Sequence, residues 1–312
     1  MNGCTETDKL VQILLSTYNG EKYLREQLNS YLKLDGFEQC CVLIRDDGST
    51  DGTREILREY EQKYGFEVFY GENLGVTGSY QWLLEHCNPS CEYFALSDQD
   101  DVWMPHKLKI ALPLLAQQSS EIPVLFASRS CITNAELKPI GYSIAPKRGI
   151  SFFNAMVQNV LPGHTQILNR KLCMILAEKG MENAHVVDWW IYLVASAIGE
   201  VVFSDQITVL HRQHSENAVG YRLMFLDGFL KRLSDIRKGK GNSISVQLLS
   251  FYQKYQQDIP EKYVSEVSRY LYSDSLYYRL KYILSRCVYR QKKWEDNLFA
   301  ILYLLGKYRL II

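Results

Sequence analysis

The chain has 312 residues, 47% of them apolar and 22% charged. That balance excludes a disordered chain, and 19 Gly with 8 Pro exclude a collagen-like one. The 35 basic and 35 acidic side chains cancel in sum only: residues 1–221 hold 18 basic against 27 acidic, and residues 222–312 hold 17 against 8, with 11 of the 22 Tyr.

An acidic body with a basic, aromatic tail suggests two units, 1–221 and 222–312, with different partners. The longest uninterrupted apolar run, Leu298–Leu305, is far shorter than the roughly 20 residues of a spanning helix, so no transmembrane helix is expected. The polar opening Met1–Lys9 has no signal-peptide pattern. Eight scattered Cys, with no CxxC, read as reduced thiols in a cytosolic protein rather than a zinc site.

Strand-like and helix-like segments then alternate. Val11–Tyr18 is a buried strand, and residues 21–34 carry a helical apolar face. Cys41–Arg45 is a second strand, running into Asp46-Asp47-Gly48-Ser49-Thr50-Asp51-Gly52, and Thr53–Tyr64 is an amphipathic helix. Phe66–Tyr70, Tyr93–Ser97 and Val124–Ser128 read as strands, with helices at Thr77–Cys87 and Met104–Gln118 between them. The pattern predicts βαβ units and a mostly parallel sheet. Open sheets of this kind bind ligands at the carboxyl ends of their strands. The chemically active residues sit there: Thr17-Tyr18, Asp46-Asp47 and Asp98 to Asp101. From about residue 134 the pattern loosens, with Pro139 to Gly149 as a loop, then strands at Val201–Ser204 and Thr208–His211, and helices after Arg222 broken at Gly239–Gly241.

Asp98-x-Asp100 at a strand end places two carboxylates on one side, with Asp101 beside them. Such carboxylates repel unless protons or a cation neutralise them, and hard oxygen ligands favour Mg²⁺ or Mn²⁺. From spacing alone a plain acidic turn capping the next helix is the better reading, since such a pair of acids is common. The Asp46–Gly52 segment is neither a P-loop nor a dinucleotide fingerprint, since no Lys follows its glycines and no GxGxxG occurs. Its glycines permit tight turning, and a carboxylate at that strand end can accept the imide N–H of a pyrimidine.

LLSTYNGEKYL, IRDDGSTDGT, ENLG and LSDQDDVWMPHKL, in that order, resemble the family 2 glycosyltransferases of GT-A fold. DQDDVW with the later DWW and RQHSEN is most similar to a rhamnosyltransferase-type branch that builds bacterial surface polysaccharides. The resemblance covers about residues 10–220. It implies a Rossmann-like, mostly parallel mixed sheet flanked by helices, with a C-terminal helical extension. It implies an inverting transfer from a nucleoside diphosphate sugar to a saccharide or lipid-linked saccharide. Thr17, Tyr18 and Glu21 would border the nucleotide. Asp47, with Asp46 beside it, would bind a uracil or thymine base, and Asp98 would face the ribose or sugar. Asp100 would ligate Mn²⁺ or Mg²⁺, with His214 completing the shell or contacting phosphate as Arg212 does. Asp188 would be the base that deprotonates the acceptor, Trp189 or Trp190 would stack on the acceptor sugar with the other of the two in the core, and His164 would stand at the acceptor. Gly163-His164-Thr165 stands where relatives often carry Gly-Cys-Thr.

A nucleotide-binding scaffold without catalysis, and a nucleotidyltransferase, are the other readings. Intact Asp98, Asp100 and Asp188 argue against the first. The lack of a glycine-rich basic loop after the first strand argues against the second. No nucleic-acid partner is expected. The basic tail, ending in Leu298–Leu305 beside Lys307 and Arg309, suits either an anionic membrane surface or a helical bundle on a second subunit. The expected location is the cytoplasm, or the cytoplasmic face of the membrane.

Overall fold

A computed structural model describes residues 9–214, 243–273 and 275–308. The expected boundary at 221/222, the helix after Arg222, the Gly239–Gly241 break and the Ser215–Asn217 end of RQHSEN lie outside the described residues. The chain forms two compact units. One is built on residues up to Ala145, Leu161–Met181 and the chain from Gly199; the other on Pro146–Val160, Glu182–Ile198 and the C-terminal helices. No helix among the described residues is long and apolar enough to cross a membrane.

The first unit holds a mixed sheet. β1 (Val11–Thr17), β2 (Cys40–Asp46), β3 (Glu67–Tyr70) and β4 (Tyr93–Ser97) run parallel in the order β3-β2-β1-β4. β1 and β4 are buried on both faces, and their sequences are accordingly continuous apolar runs rather than alternating ones. The crossovers are α1 (Leu24–Tyr31), α2 (Thr53–Tyr64) and α3 (Gly75–Glu85). The register sets Thr17 beside Asp46 and Leu15 beside Ser97, so β1 and β2 end level, β4 ends two residues short of them, and all three loops leave the same edge.

Beyond β4 the direction changes. β8 (Ile167–Asn169) is antiparallel to β4 and to β6 (Val124–Thr133), and β9 (Glu200–Arg212) is parallel to β6. β5 (Val102–Trp103) pairs antiparallel with β9, and β7 (Pro139–Tyr142) pairs antiparallel with β6. α4 (Lys107–Leu115) and α6 (Arg170–Lys179) complete this unit.

Two sequence expectations are corrected here. The separate strands at 201–204 and 208–211 are one strand, β9; the pairing with β6 jumps from Ser204 to Ile207, so Asp205 and Gln206 form a bulge instead of a break. The expected loop at Pro139 opens with β7, which pairs with β6 alone, and Pro is tolerated on such an outer strand.

At the turn into β9, a Cβ on Gly199 would lie 2.0 Å from the carbonyl oxygen of Pro123. That neighbour is backbone and cannot swing away. Gly199→Ala is expected to destabilise the fold by about 3 kcal/mol through overpacking. Denaturant unfolding checks this, and a midpoint equal to the parent's would refute it.

The second unit is helical: α5 (Phe152–Ala155), α7 (Val187–Ile198), α8 (Ser243–Tyr255), α9 (Glu261–Leu271), α10 (Leu276–Ser285) and α11 (Lys293–Leu304). α7 has Trp190, Ile191, Leu193 and Val194 fully buried, as its nearly all-apolar sequence requires. Tyr270, Tyr282, Phe299 and Tyr303 form an aromatic cluster where α9, α10 and α11 meet.

Candidate active site

The loop after β1 is held from two sides. The Gln99 side chain accepts from the Thr17 hydroxyl at 2.6 Å and the Tyr18 N–H at 2.9 Å, and donates to the Tyr18 carbonyl at 3.0 Å. The loop after β2 supplies the other side. The Asn19 N–H donates to Ser49 Oγ at 2.9 Å, the Gly20 N–H to Thr53 Oγ1 at 2.8 Å, and the Gly52 N–H to Glu21 Oε2 at 2.9 Å. A Cβ on Gly20 would stand 2.4 Å from Gln99 Oε1, so a larger residue there would have to push the Gln99 amide aside and loosen this lock.

Asp46 and Asp47 are both buried. Asp46 accepts from Arg54 Nε at 2.7 Å and the Ser49 N–H at 3.2 Å. Asp47 accepts from the Arg45 guanidinium, from the Leu74 N–H at 2.8 Å and from the Gly75 N–H at 2.9 Å. Both Asp47 oxygens therefore hold the start of α3, where a carboxylate offsets the helix's unsatisfied donors. The carboxylate expected at the nucleotide base is engaged inside the protein.

The acidic turn after β4 divides by exposure. Asp98 is half exposed, its side chain 3.3 Å from the Tyr80 hydroxyl that donates to it. Asp100 Oδ2 lies 2.8 Å from His214 Nε2, and the His214 ring leans on Tyr23 at 4.7 Å between centroids. Asp101 is fully buried and accepts from the Arg212 N–H at 3.0 Å, with His211 Nδ1 at 2.9 Å. Burial, then the charges of Asp101 and Asp98, push the Asp100 carboxyl up to about 8. Burial opposes a proton on His211, but Asp101 outweighs it and holds that imidazole up to about 9.

The sign of the His211 effect is testable. Its folded value stands above the ordinary 6.5, so its stabilisation is complete below pH 6.5 and is lost as pH rises through 9. The His211 contribution alone is about 3 kcal/mol across that window, on the order of 1.4 kcal/mol for each tenfold change in proton affinity, and Asp100, held up to about 8 in the metal-free protein, adds loss in the same direction. Denaturant unfolding between neutral and alkaline pH measures it, with the His211 ring followed by NMR. A ring that titrates at its ordinary value would remove the basis for the loss.

Arg212 and His164 stand elsewhere than the sequence leads one to expect. Arg212, expected at the diphosphate, is 2% exposed. Its Nε donates to the Asp100 carbonyl at 3.0 Å, Nη2 pairs with Glu26 at 2.7 Å, Nη1 donates to the Ala135 carbonyl, and the guanidinium lies 4.4 Å from the Tyr23 ring centroid. It braces the acidic turn from behind. His164, expected at the acceptor, is buried beneath the carboxylates, with Nδ1 3.5 Å from Asp101 and 3.6 Å from Asp98. Lys107, fully buried, donates to the His164 carbonyl at 2.9 Å with its ammonium 4.2 Å from the Trp103 ring centroid.

Trp189 and Trp190 are also corrected. Trp190 is completely enclosed and packs edge-on against Phe251 and Tyr255. Trp189 is buried, and its Nε1 donates to the Ala155 carbonyl at 2.6 Å. Neither ring offers a face for a sugar. Asp188 lies in the first turn of α7, is partly exposed, and accepts from the Trp189 N–H at 2.8 Å.

A cavity of about 820 Å³ opens at the strand ends, lined among others by Tyr18, Glu21, Tyr23, Gln99, Asp100 and His214. Two potential ligands, Asp100 and His214, meet on its wall, and the crowded charge of Asp98, Asp100 and Asp101 is what a divalent cation would neutralise. The donor set therefore fits Mn²⁺ or Mg²⁺. A second group, Asp101, His164 and His211, also has ligand atoms within 4.8 Å of one another. Its two imidazoles are stacked at 4.3 Å and 15°, so their in-plane lone pairs run side by side instead of converging on one ion.

Gln99, Glu26, Lys107 and His211 carry much of this architecture, yet nothing in the sequence assigns them a role at the site; Asp101, expected as a third carboxylate of the acidic turn, is there but buried against His211 and the Arg212 N–H. Gln99 and Lys107 lie inside the acidic motif's own stretch, which is the only signal that marks them.

Residues 12–174 match the family described as Glycosyl transferase family 2, more than half of the chain. The chain belongs to that family. Among curated relatives, this glycosyltransferase is 25% identical over 242 residues to the dTDP-rhamnosyl transferase RfbG of Shigella flexneri, covering 72% of this chain and 79% of that one. Among solved structures, S. aureus TarS 1–349 in complex with UDP-GlcNAc superposes with a TM-score of 0.57 at 15% identity, over 96% of this chain and 89% of that one. The mannosyltransferase PcManGT of Pyrobaculum calidifontis, in complex with GDP-Man and Mn²⁺, gives 0.54 at 15%, over 96% and 86%. These likenesses establish the GT-A fold of the glycosyltransferase.

Proposed function

We propose that this glycosyltransferase moves a sugar, with inversion, from a nucleoside diphosphate to a hydroxyl of a saccharide or lipid-linked saccharide during cell-surface polysaccharide assembly. The observation that carries the reading is the meeting of Asp100 and His214 with the interlocked loops after β1 and β2 around one cavity. A uridine or thymidine diphosphate sugar is the proposed donor, and rhamnose is the first sugar to test, because the Shigella relative is named for dTDP-rhamnosyl transfer.

Asp100 and His214 are proposed to hold Mn²⁺ or Mg²⁺, which when bound stabilises the charge of the departing diphosphate. Asp98 hydrogen-bonds the ribose or sugar hydroxyls. Tyr18 and Glu21 form the wall against the nucleotide, and Thr17, buried behind it, supports that wall through Gln99. Asp46 and Asp47 shape the base-binding end by fixing the Ser49 and Gly75 backbone. Arg212 holds the Asp100 backbone in place. Asp188 takes the proton of the acceptor hydroxyl on its carboxylate as the new glycosidic bond forms. The proposed setting is the cytoplasmic side of the membrane, where nucleotide sugars are made.

A nucleoside diphosphate release assay tests this, using UDP-, dTDP- and GDP-sugars with Mn²⁺ or Mg²⁺ and a parallel thermal-shift titration. Metal-dependent binding and turnover of one donor is expected. Release of pyrophosphate from a nucleoside triphosphate would indicate a nucleotidyltransferase instead, binding of a donor without turnover would favour the nucleotide-binding scaffold, and failure to bind any donor would overturn the catalytic reading.

A further inference from the structure

The two helices nearest the C-terminus leave apolar side chains in solvent. On α10, Leu276, Leu280 and Leu284 recur every fourth residue, with Tyr277 beside them; all are exposed, Tyr277 to 68% and Leu284 to 69%. Only Tyr282 of that helix is buried, on the opposite side, against Tyr270 and Tyr303. On α11, Trp294 and Ile301 lie on one stripe with Leu305 just beyond the helix end, again opposed to the buried Phe299 and Tyr303. Such stripes on a soluble surface mark a contact site.

The charge pattern names the partner. Between residues 275 and 308 every exposed charged side chain is a cation: Lys281, Arg286, Lys292, Lys293 and Lys307. The two carboxylates there are turned inward: Glu295 is buried and accepts from Gln158 at 2.9 Å, and Asp296 pairs with Arg148. A second copy meeting this face through a twofold axis would set cations against the same cations. An anionic lipid surface instead accepts the apolar side chains into its interfacial layer and the cations among its headgroups.

We propose that α10 and α11 form a docking face for an anionic lipid bilayer, lying on the surface without crossing it. The face is built by residues that play no part in the donor site, so the proposal stands or falls independently of the sugar transferred.

The test is co-sedimentation of the full chain with vesicles of phosphatidylcholine alone and of phosphatidylcholine with phosphatidylglycerol. Binding to the anionic vesicles, reversed by added salt, is expected. Leu280→Ser with Leu284→Ser, and separately Lys281→Glu with Arg286→Glu, should each weaken it about tenfold or more. Because these side chains are exposed, the circular dichroism spectrum and thermal midpoint should not move. No binding to anionic vesicles, equal binding to neutral ones, or variants that bind like the parent would overturn the proposal. So would a lipid-free dimer that the Leu280→Ser, Leu284→Ser variant dissolves, which would assign the face to a second copy.

Discussion

Asp100→Ala is expected to lower kcat/KM by about a thousandfold or more, the scale of several kcal/mol lost when a cation no longer offsets diphosphate charge. The same variant should lose the rise in thermal midpoint that Mn²⁺ gives the parent. These two readouts belong together, because Asp100 Oδ2 and His214 Nε2, 2.8 Å apart, are the pair proposed to bind the ion. The direction of the pH effect follows from the same carboxyl. Burial and the neighbouring Asp101 and Asp98 hold it up to about 8, so below that value a cation must displace a proton. Apparent metal affinity should therefore climb as pH rises toward 8, by at most about tenfold per pH unit for one displaced proton. Calorimetric titration at a series of pH values decides the matter; an affinity indifferent to pH would mean that the metal displaces no proton from Asp100, and the Asp100→Ala comparison then says whether Asp100 is a ligand at all.

Asp188→Asn is expected to reduce kcat by about 10²- to 10⁴-fold, the usual contribution of a positioned base, while donor binding stays at the parent's level. The amide keeps the shape of the carboxylate and can still accept from the Trp189 N–H, so the local helix start is preserved. What it loses is basicity. A selective fall in turnover isolates the proton-transfer role; a variant with unimpaired turnover would return Asp188 to the structural duty of starting α7.

The parallel half of the fold is legible because β1, β2 and β4 are buried runs of apolar residues, each ending in polar loops, and that arrangement leaves little choice of topology. β9 reads as two strands because Asp205 and Gln206 interrupt its apolar pattern, and a bulge that absorbs two polar residues has no signature in one sequence. Asp98 and Asp100 are legible as acids crowding the end of a buried strand, but β4 stops at Ser97, so they sit in the turn beyond it and not on one strand face as alternation leads one to expect. Arg212 is not: a cation beside a histidine suggests a phosphate ligand, whereas its actual partners, Glu26 and the Asp100 and Ala135 carbonyls, come from distant parts of the chain. Trp189 and Trp190 mislead for a related reason, since an aromatic pair after an acid looks the same whether it faces a sugar or the core. Asp47 is recognisable as important, but the α3 N–H groups it holds are known only once the chain is folded.

The grip of Gln99 on Tyr18 has an energetic meaning for ligand capture. One amide engages both the N–H and the carbonyl of a single loop residue, so the residues after β1 are held in shape with no nucleotide present. Ordering a free loop costs about 1–2 kcal/mol per residue, and a segment the length of Thr17 to Glu21 would otherwise subtract several kcal/mol from donor affinity. Here that cost is met during folding, and an incoming nucleotide sugar finds a rigid half-site. On the proposed function, the middle position of the acidic motif would raise donor affinity through the loop it holds, from a place on the cavity wall itself.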